Sequence, residues 1–82
     1  MRLTVRFFAA ARAASGTEST AVDIDPAITL GELEDLLSAG NDELRHVLAR
    51  CSYLRDEIAF CDRAAGVGEC TSLDVLPPFA GG

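Results

Sequence analysis

Alternation of apolar and polar residues predicts β-strands near both ends of the chain. Leu3, Val5 and Phe7 alternate with polar residues, which is typical of a strand with one buried face. The second alternating run pairs most simply with the first, antiparallel. The predicted strands cover residues 3–7, 21–25, 52–54, 58–60 and about 73–76.

Helical signals occupy the segments between these strands. The alanine-rich stretch 8–16 predicts one or two helical turns that end at Gly16. Thr29 and Glu32 have the spacing of a capping box, and Asn41 suits the first position of another helix. The expected apolar stripes are Leu30, Leu33, Leu36 and Leu37 in the first of these two helices and Leu44, Val47, Leu48 and Cys51 in the second.

This order of elements predicts an α+β fold, with a small mixed β-sheet and helices packed on one face. If the first strand is central and parallel to the last, the topology is a β-grasp. We expect a folded domain over 1–76 and an extended tail over 77–82. The predicted core contains Leu3, Val5, Phe7, Leu33, Leu36, Leu48 and Val75.

Composition limits the classes of partner that the chain is expected to bind. The 82 residues suffice for one small domain, and the net charge of −6 argues against binding to nucleic acid or to an anionic membrane. It favours a basic protein surface instead. All seven cations are arginine, so no side-chain amine is present to accept an isopeptide bond or to form a Schiff base.

The location expected from the sequence is the cytoplasm. No apolar stretch approaches the length that spans a membrane, and the start lacks a secretory signal pattern. An odd number of cysteines precludes a complete set of intramolecular disulfides, which fits a reducing compartment.

Metal binding and cysteine catalysis are both disfavoured. Cys51, Cys61 and Cys70 are widely spaced, and His46 is the sole histidine. Zinc and iron–sulfur sites usually need four ligands in close pairs. Cys51 fits a small core residue and His46 an exposed helix position. We therefore predict no metal site, no bound cofactor and no active site within this chain.

The reactive group predicted for this chain lies in the carboxyl-terminal tail, Pro77-Pro78-Phe79-Ala80-Gly81-Gly82. Because the chain begins with Met1 and carries no tag, we expect a whole reading frame that ends at Gly82. Two prolines fix φ and stiffen the start of the tail, whereas two glycines fit a narrow channel in a partner. The α-carboxylate of Gly82 is a poor electrophile until it is joined to AMP. That step needs a partner that uses ATP.

The chain resembles the small subunit of molybdopterin synthase, the MoaD-type sulfur carriers. The resemblance rests on the amino-terminal run 7–12, Phe-Phe-Ala-Ala-Ala-Arg, on Gly16 and on the ending Pro-Pro-x-x-Gly-Gly. It covers the whole chain in element order and length. One departure is Arg55-Asp56-Glu57, where the family often has an Asn-Gly turn. Another is the segment 69–72, where the family often has an acidic turn.

The resemblance implies a ubiquitin-like β-grasp fold and a defined chemistry at Gly82. A ubiquitin-activating-like adenylyltransferase would adenylate the carboxylate of Gly82. The neighbouring Gly81 is the second residue assigned to this site. The thiocarboxylate formed next would enter the large synthase subunit, in an expected heterotetramer, and donate sulfur to precursor Z (cyclic pyranopterin monophosphate). The implied partner-binding residues are Arg12, Ile58, Leu76, Pro77, Pro78, Phe79 and Ala80.

Two alternatives stay open. Within the same fold, the chain could carry sulfur for thiamine, for tRNA thiolation or for cysteine synthesis. From a different class, it could be a protein-binding module in which the Gly-Gly ending has no chemical role. Removal of Gly82 separates them, because a carrier loses all activity and a binding module almost none.

Overall fold

The structure is a computed structural model that describes residues 1–78. The strands and helices follow the predicted order, with boundaries shifted by a few residues. In chain order they are β1 (Arg2–Phe7), α1 (Ala9–Ser15), β2 (Ser19–Asp23), α2 (Leu30–Leu37), α3 (Asp42–Leu48), β3 (Ser52–Arg55), β4 (Ile58–Ala59) and β5 (Ser72–Leu76).

The described strands form one mixed sheet in the order β2-β1-β5-β3-β4. β1 pairs antiparallel with β2 and parallel with β5. β5 pairs antiparallel with β3, which forms a hairpin with β4. The first strand is thus central and parallel to the last, which confirms the predicted β-grasp topology.

The core lies between one face of this sheet and the helices. Alternation places Leu3, Val5 and Phe7 of β1 on that face, and all three are buried. Leu33 and Leu48 are buried against them from the helices. Six of the seven predicted core residues are therefore confirmed, namely Leu3, Val5, Phe7, Leu33, Leu48 and Val75.

The prediction for Leu36 is wrong, because its side chain is 49% exposed. Successive helical residues turn by about 100°, which places Leu36 about 120° from Leu30 around α2. Leu33 and Leu37 lie closer to Leu30 and face the core or its margin. Leu36 instead lines a recess beside β2, together with Val22.

The predicted helix boundaries are set by local hydrogen bonds. The Thr29 hydroxyl accepts from the Glu32 amide at 3.1 Å while the Glu32 carboxylate accepts from the Thr29 amide at 2.9 Å. This confirms the capping box. The Asn41 side chain caps α3, and Gly16 ends α1 in the left-handed conformation with φ of 76°.

A partly buried polar network fixes the loop between β4 and β5. The Tyr53 hydroxyl donates to the Glu34 carboxylate at 2.5 Å, and Arg63 donates to the same carboxylate at 2.9 Å. Arg63 also donates to the Leu48 carbonyl at the end of α3. Burial, and then the contact with Glu34, raise the pKa of Tyr53, which stays a neutral hydrogen-bond donor.

Candidate functional site at the end of the last strand

The strand that leads into the tail is held on both sides. Val75 of β5 lies opposite Phe7 of β1 and opposite Tyr53 of β3, and its side chain is fully buried. Leu76 ends the strand opposite Ser52. The base of the tail is therefore part of the sheet and cannot swing as a unit without breaking two ladders.

Pro77 and Pro78 follow directly and are both exposed. Neither has a backbone N–H, so neither can donate a hydrogen bond that would extend the β5 ladder. The change from paired strand to unpaired chain thus occurs at a defined residue. Phe79, Ala80, Gly81 and Gly82 lie outside the described residues, and their predicted roles stay predictions.

Phe8 lies beside the base of the tail. Because β1 and β5 are parallel, their carboxyl ends meet at one edge of the sheet, and the Phe8 amide donates to the Val75 carbonyl at 3.1 Å. The Phe8 side chain is 41% exposed. Sequence reasoning assigned Phe8 to a helix, yet alternation after the inward-facing Phe7 was a signal that Phe8 faces outward.

Arg12 projects from α1 near the same edge. Its guanidinium forms an ion pair with Glu18 at 2.5 Å, and both side chains are more than half exposed. Exposed pairs of this kind contribute little to stability. Phe8, Arg12 and Glu18 line a shallow depression together with Arg6. The structure thus directs the Arg12 side chain toward Glu18, on the β2 side of β1, and the predicted partner-binding role of Arg12 stays a prediction.

The Arg6–Asp74 pair lies on the open face of the sheet and was missed from the sequence. Two hydrogen bonds of 2.6 and 2.9 Å join the guanidinium to the carboxylate, across the β1–β5 pairing. The Asp74 side chain is 11% exposed and that of Arg6 is 48% exposed. This contact raises the pKa of Arg6. The signal was a single acid inside an otherwise apolar strand.

Leu76 and Ile58, two of the partner-binding residues that the resemblance implies, lie on opposite faces of the sheet. Leu76 is level with Ser52, whereas Ile58 is level with Arg55, which pairs in turn with Leu73. Since directly opposed residues share a face, Ile58 points to the side of Leu73, opposite to Leu76. Ile58 is nevertheless 70% exposed, at the outer edge of the sheet.

In the observed register, the apolar neighbour of Leu76 is Leu54. Leu54 lies opposite Asp74 and is one diagonal position from Leu76 on the open face. Both leucines are half-buried. The open face therefore presents two leucines and an arginine–aspartate pair next to the tail base, and sequence reasoning identified Leu76 alone among them.

The cysteines do not converge on this edge. Cys51 and Cys70 are buried, and burial raises the pKa of both thiols, which keeps them protonated and weakly nucleophilic. Cys61 and His46 are exposed. Burial of Cys51 and exposure of His46 match the predictions. Within residues 1–78, no three His, Cys, Asp or Glu side chains are grouped closely enough to hold a metal ion.

None of the helices in the described part of the chain is long and apolar enough to cross a membrane.

Comparisons with known proteins give structural matches. No family model matches the sequence, and no curated protein matches it. Small archaeal modifier protein 1 from Haloferax volcanii has a TM-score of 0.77 and is 20% identical, with 95% of this chain and 98% of that chain covered. A protein from Pyrococcus furiosus assigned as molybdopterin converting factor, subunit 1, has a TM-score of 0.74 at 12% identity, with 96% and 99% covered.

A third match comes from a protein–protein complex. In the complex of subunits 1 and 2 of molybdopterin-converting factor from Helicobacter pylori, the matched chain has a TM-score of 0.67 at 22% identity, with all of both chains covered. At these identities the likeness shows the fold, which is the ubiquitin-like β-grasp shared by both groups. Small archaeal modifiers and molybdopterin converting factors match about equally well.

Proposed function

We propose that this chain is a ubiquitin-like sulfur carrier whose Gly82 α-carboxylate takes up and donates sulfur. The observation that carries the proposal is the position of the Pro-Pro-x-x-Gly-Gly ending. It follows directly on β5, which is held between β1 and β3. The fixed strand leads into two prolines with restricted φ, and the proposal assigns the sulfur to the carboxylate at the end of this sequence.

Two partner-catalysed steps give the carboxylate its reactivity. In the first, a Gly82 carboxylate oxygen attacks the α-phosphorus of ATP, pyrophosphate leaves and an acyl-adenylate forms. In the second, a hydrosulfide attacks the acyl carbon, the carbon–oxygen bond to AMP breaks, and a thiocarboxylate remains. ATP belongs to the activating partner, a ubiquitin-activating-like adenylyltransferase, and this chain binds no cofactor of its own.

The pathway that we propose is molybdenum cofactor synthesis. The chain would act as the small subunit of molybdopterin synthase, insert its tail into the large subunit and deliver sulfur to precursor Z. Water then supplies the oxygen that restores the carboxylate. Support comes from the sequence resemblance and from the fold match to subunit 1 in a complex with subunit 2. A heterotetramer of two small and two large subunits is the expected assembly.

The carrier chemistry is tested by intact-mass spectrometry. The purified chain is incubated with a candidate adenylyltransferase from the same organism, ATP and sulfide. We expect one oxygen to be replaced by one sulfur, at Gly82 and only with ATP. Sulfur found instead on a cysteine as a persulfide would contradict the proposal. A variant that lacks Gly82 is the matched control.

A second candidate function is that of a protein modifier, and the matches to small archaeal modifier proteins favour it. In that case activated Gly82 forms an amide with an amine of another protein. The test adds the chain, with the same adenylyltransferase and ATP, to extract from cells that lack it. Higher-mass conjugates that require Gly82 indicate a modifier, whereas conversion of precursor Z in the presence of the large subunit indicates the synthase subunit.

A further inference from the structure

Residues 61–68, between β4 and β5, cap the first turn of α2, and we call them the strap. A helix leaves its first four backbone amides without partners inside the helix. In α2 the capping box satisfies two of these amides. Of the other two, the Leu30 amide donates to the Ala65 carbonyl at 3.1 Å. The Gly31 amide donates to the Arg63 carbonyl at 3.0 Å, so the strap completes the amino-terminal cap of α2.

The strap also pairs with the segment that precedes α2. The Val67 amide donates to the Ile28 carbonyl at 2.7 Å. The Gly68 amide donates to the Pro26 carbonyl at 2.8 Å. Together with the two bonds to α2, four backbone hydrogen bonds fasten the strap along one short run of chain. Because neighbouring residues make these bonds, we expect them to form and break together.

One side chain of the strap ties it to the rest of the fold. Arg63 donates to the Glu34 carboxylate at 2.9 and 3.1 Å. It also donates to the carbonyls at the end of α3, that of Leu48 at 2.9 Å and that of Ala49 at 3.2 Å. Because the Glu34 side chain is only 13% exposed, its bonds to Arg63 are expected to contribute more than those of a fully exposed ion pair. Arg63 therefore joins the strap to both α2 and α3.

Little apolar burial adds to this attachment. Val67 is the one buried side chain of the strap, and its carbonyl accepts from the Arg55 guanidinium at 2.7 Å. The exposed residues of the strap are Cys61, Asp62, Ala64 and Gly66. Segments that bury few apolar side chains open at a lower free energy than the core of a protein. The strap therefore depends on a few polar contacts, among which those of Arg63 are the most numerous.

We propose that the strap opens and closes as one unit, with Arg63 as its latch, while the sheet stays folded. On opening, the Arg63 guanidinium leaves Glu34 and the end of α3, the four backbone bonds break, and Val67 leaves the core. The amides of Leu30 and Gly31 then lose their acceptors. β1 and β5 keep their pairing, because the strap makes no backbone hydrogen bond to either strand.

Amide hydrogen exchange of the full wild-type chain, followed by NMR at low urea concentrations, tests this directly. The amides that report on the strap are those of Leu30, Gly31, Val67 and Gly68. We expect these four amides to share one opening free energy and to exchange at least about tenfold faster than the amides of β1 and β5, which report global unfolding. Because opening exposes little surface, their exchange should also depend more weakly on urea.

Substitution of the latch tests the role of Arg63. Arg63→Gln should speed exchange of the four strap amides by about tenfold or more, and by a larger factor than it speeds exchange in β1 and β5. Arg63→Lys keeps the charge but loses the forked geometry, and should have an intermediate effect. Arg45→Gln removes the same charge from the exposed pair with Asp35 and is the matched control. Urea unfolding measures the global stability of each variant.

The proposal stands if the four strap amides open together below the global free energy and respond to Arg63→Gln but not to Arg45→Gln. It is overturned if, in the wild type, these amides exchange only through global unfolding or with clearly different opening free energies. It is overturned equally if Arg63→Gln affects them no more than Arg45→Gln does. The wild-type measurement decides even if Arg63→Gln does not fold, and neither arm depends on the proposed sulfur transfer.

Discussion

Two hydrogen bonds join Asp56 to Ser72. The backbone amide of Asp56 donates to the Ser72 carbonyl at 3.0 Å, and the Ser72 amide donates to the Asp56 carboxylate at 2.9 Å. The Thr71 amide donates to the same carboxylate at 3.1 Å. The turn between β3 and β4 is thereby joined to the first residue of β5, so one carboxylate anchors the strand that leads to the tail.

The first prediction is a pH-dependent contribution from Asp56. Hydrogen bonds from the amides of Ser72 and then Thr71 lower the pKa of this carboxyl. A group whose pKa is lower in the folded than in the unfolded state stabilises above the unfolded value, about 3.9 for Asp, and loses that contribution as the pH falls through the folded value. The wild type should therefore lose the Asp56 contribution below about pH 4.

Asp56→Asn is the variant that isolates this effect, because asparagine keeps an acceptor oxygen and tolerates positive φ but carries no charge. Urea unfolding should show the variant to be less stable than the wild type at pH 7. The difference should shrink as the pH falls below about 4. If the difference in free energy of unfolding stays constant from about pH 7 to about pH 2.5, the role assigned to the Asp56 charge is contradicted.

The second prediction concerns Glu57, which has φ of 72° directly after Asp56 with φ of 45°. Left-handed conformations cost a residue with a Cβ roughly 1–2 kcal/mol, and two-residue hairpin turns favour Asn-Gly for this reason. Glu57→Gly should therefore raise the free energy of unfolding by about 0.5–1 kcal/mol, after the added entropy of glycine in the unfolded chain. Glu57→Ala retains the strained φ and should give no comparable gain in urea unfolding.

The third prediction compares two leucines on α2. Leu33 is fully buried, so Leu33→Ala should lower the free energy of unfolding by about 2–5 kcal/mol. Leu36 is 49% exposed, and Leu36→Ala should change it by roughly 0.5 kcal/mol or less. Urea unfolding at low protein concentration measures both. Equal losses from the two variants would show that the assigned faces of α2 are incorrect.

Local signals explain which parts of the fold could be predicted from the sequence. The capping box at Thr29 and the caps at Asn41 and Gly16 involve residues within a few positions of each other, and the structure confirms all three. Alternation in β1 identified its buried face for the same reason. The topology followed once the first strand was taken as central and parallel to the last.

What escaped prediction depends on register between distant strands. The Asp74 carboxylate accepts two hydrogen bonds from Arg6, which is 68 positions away. Nothing near Asp74 in the sequence indicates that partner. Ile58 and Leu76 were grouped as partner-binding residues because of the family resemblance, whereas pairing places them on opposite faces. Leu36 fits the apolar spacing of α2 but lies where the edge strand β2 leaves the helix uncovered.

The fourth prediction concerns docking at the base of the tail. Leu76 is half-buried on the open face beside Leu54. If the chain has the proposed function, Leu76→Asp should weaken binding to both proposed partners, the large synthase subunit and the activating enzyme. Ile58→Asp introduces the same charge on the opposite face and should have the smaller effect on affinity. Titration calorimetry with each partner measures both, and circular dichroism checks that the variants fold. Equal affinities for wild type and Leu76→Asp would remove Leu76 from the interface.

The last prediction concerns the reach of the tail. If Gly82 carries the sulfur, the atom that reacts is a carboxylate oxygen of Gly82, and no side chain of this chain takes up the sulfur. An α-carboxyl group has an ordinary pKa of about 3.3–3.7, so at neutral pH it is an anion that repels nucleophiles, and sulfide alone should not react with it. Adding one alanine after Gly82 moves the carboxylate by up to ~3.6 Å.

A displacement of about 1 Å at a reacting group can cost on the order of a hundredfold in rate. We therefore expect both deletion of Gly82 and addition of an alanine after it to abolish sulfur transfer, with unchanged circular dichroism and urea unfolding. Replacing all three cysteines by serine should leave the transfer at Gly82 intact, provided that the variant folds. Each variant is incubated with the activating enzyme, ATP and sulfide, and intact-mass spectrometry measures how much thiocarboxylate forms. If the extended chain still transfers sulfur and the cysteine-free chain does not, the sulfur is carried by a thiol and the role of the Gly82 carboxylate is refuted.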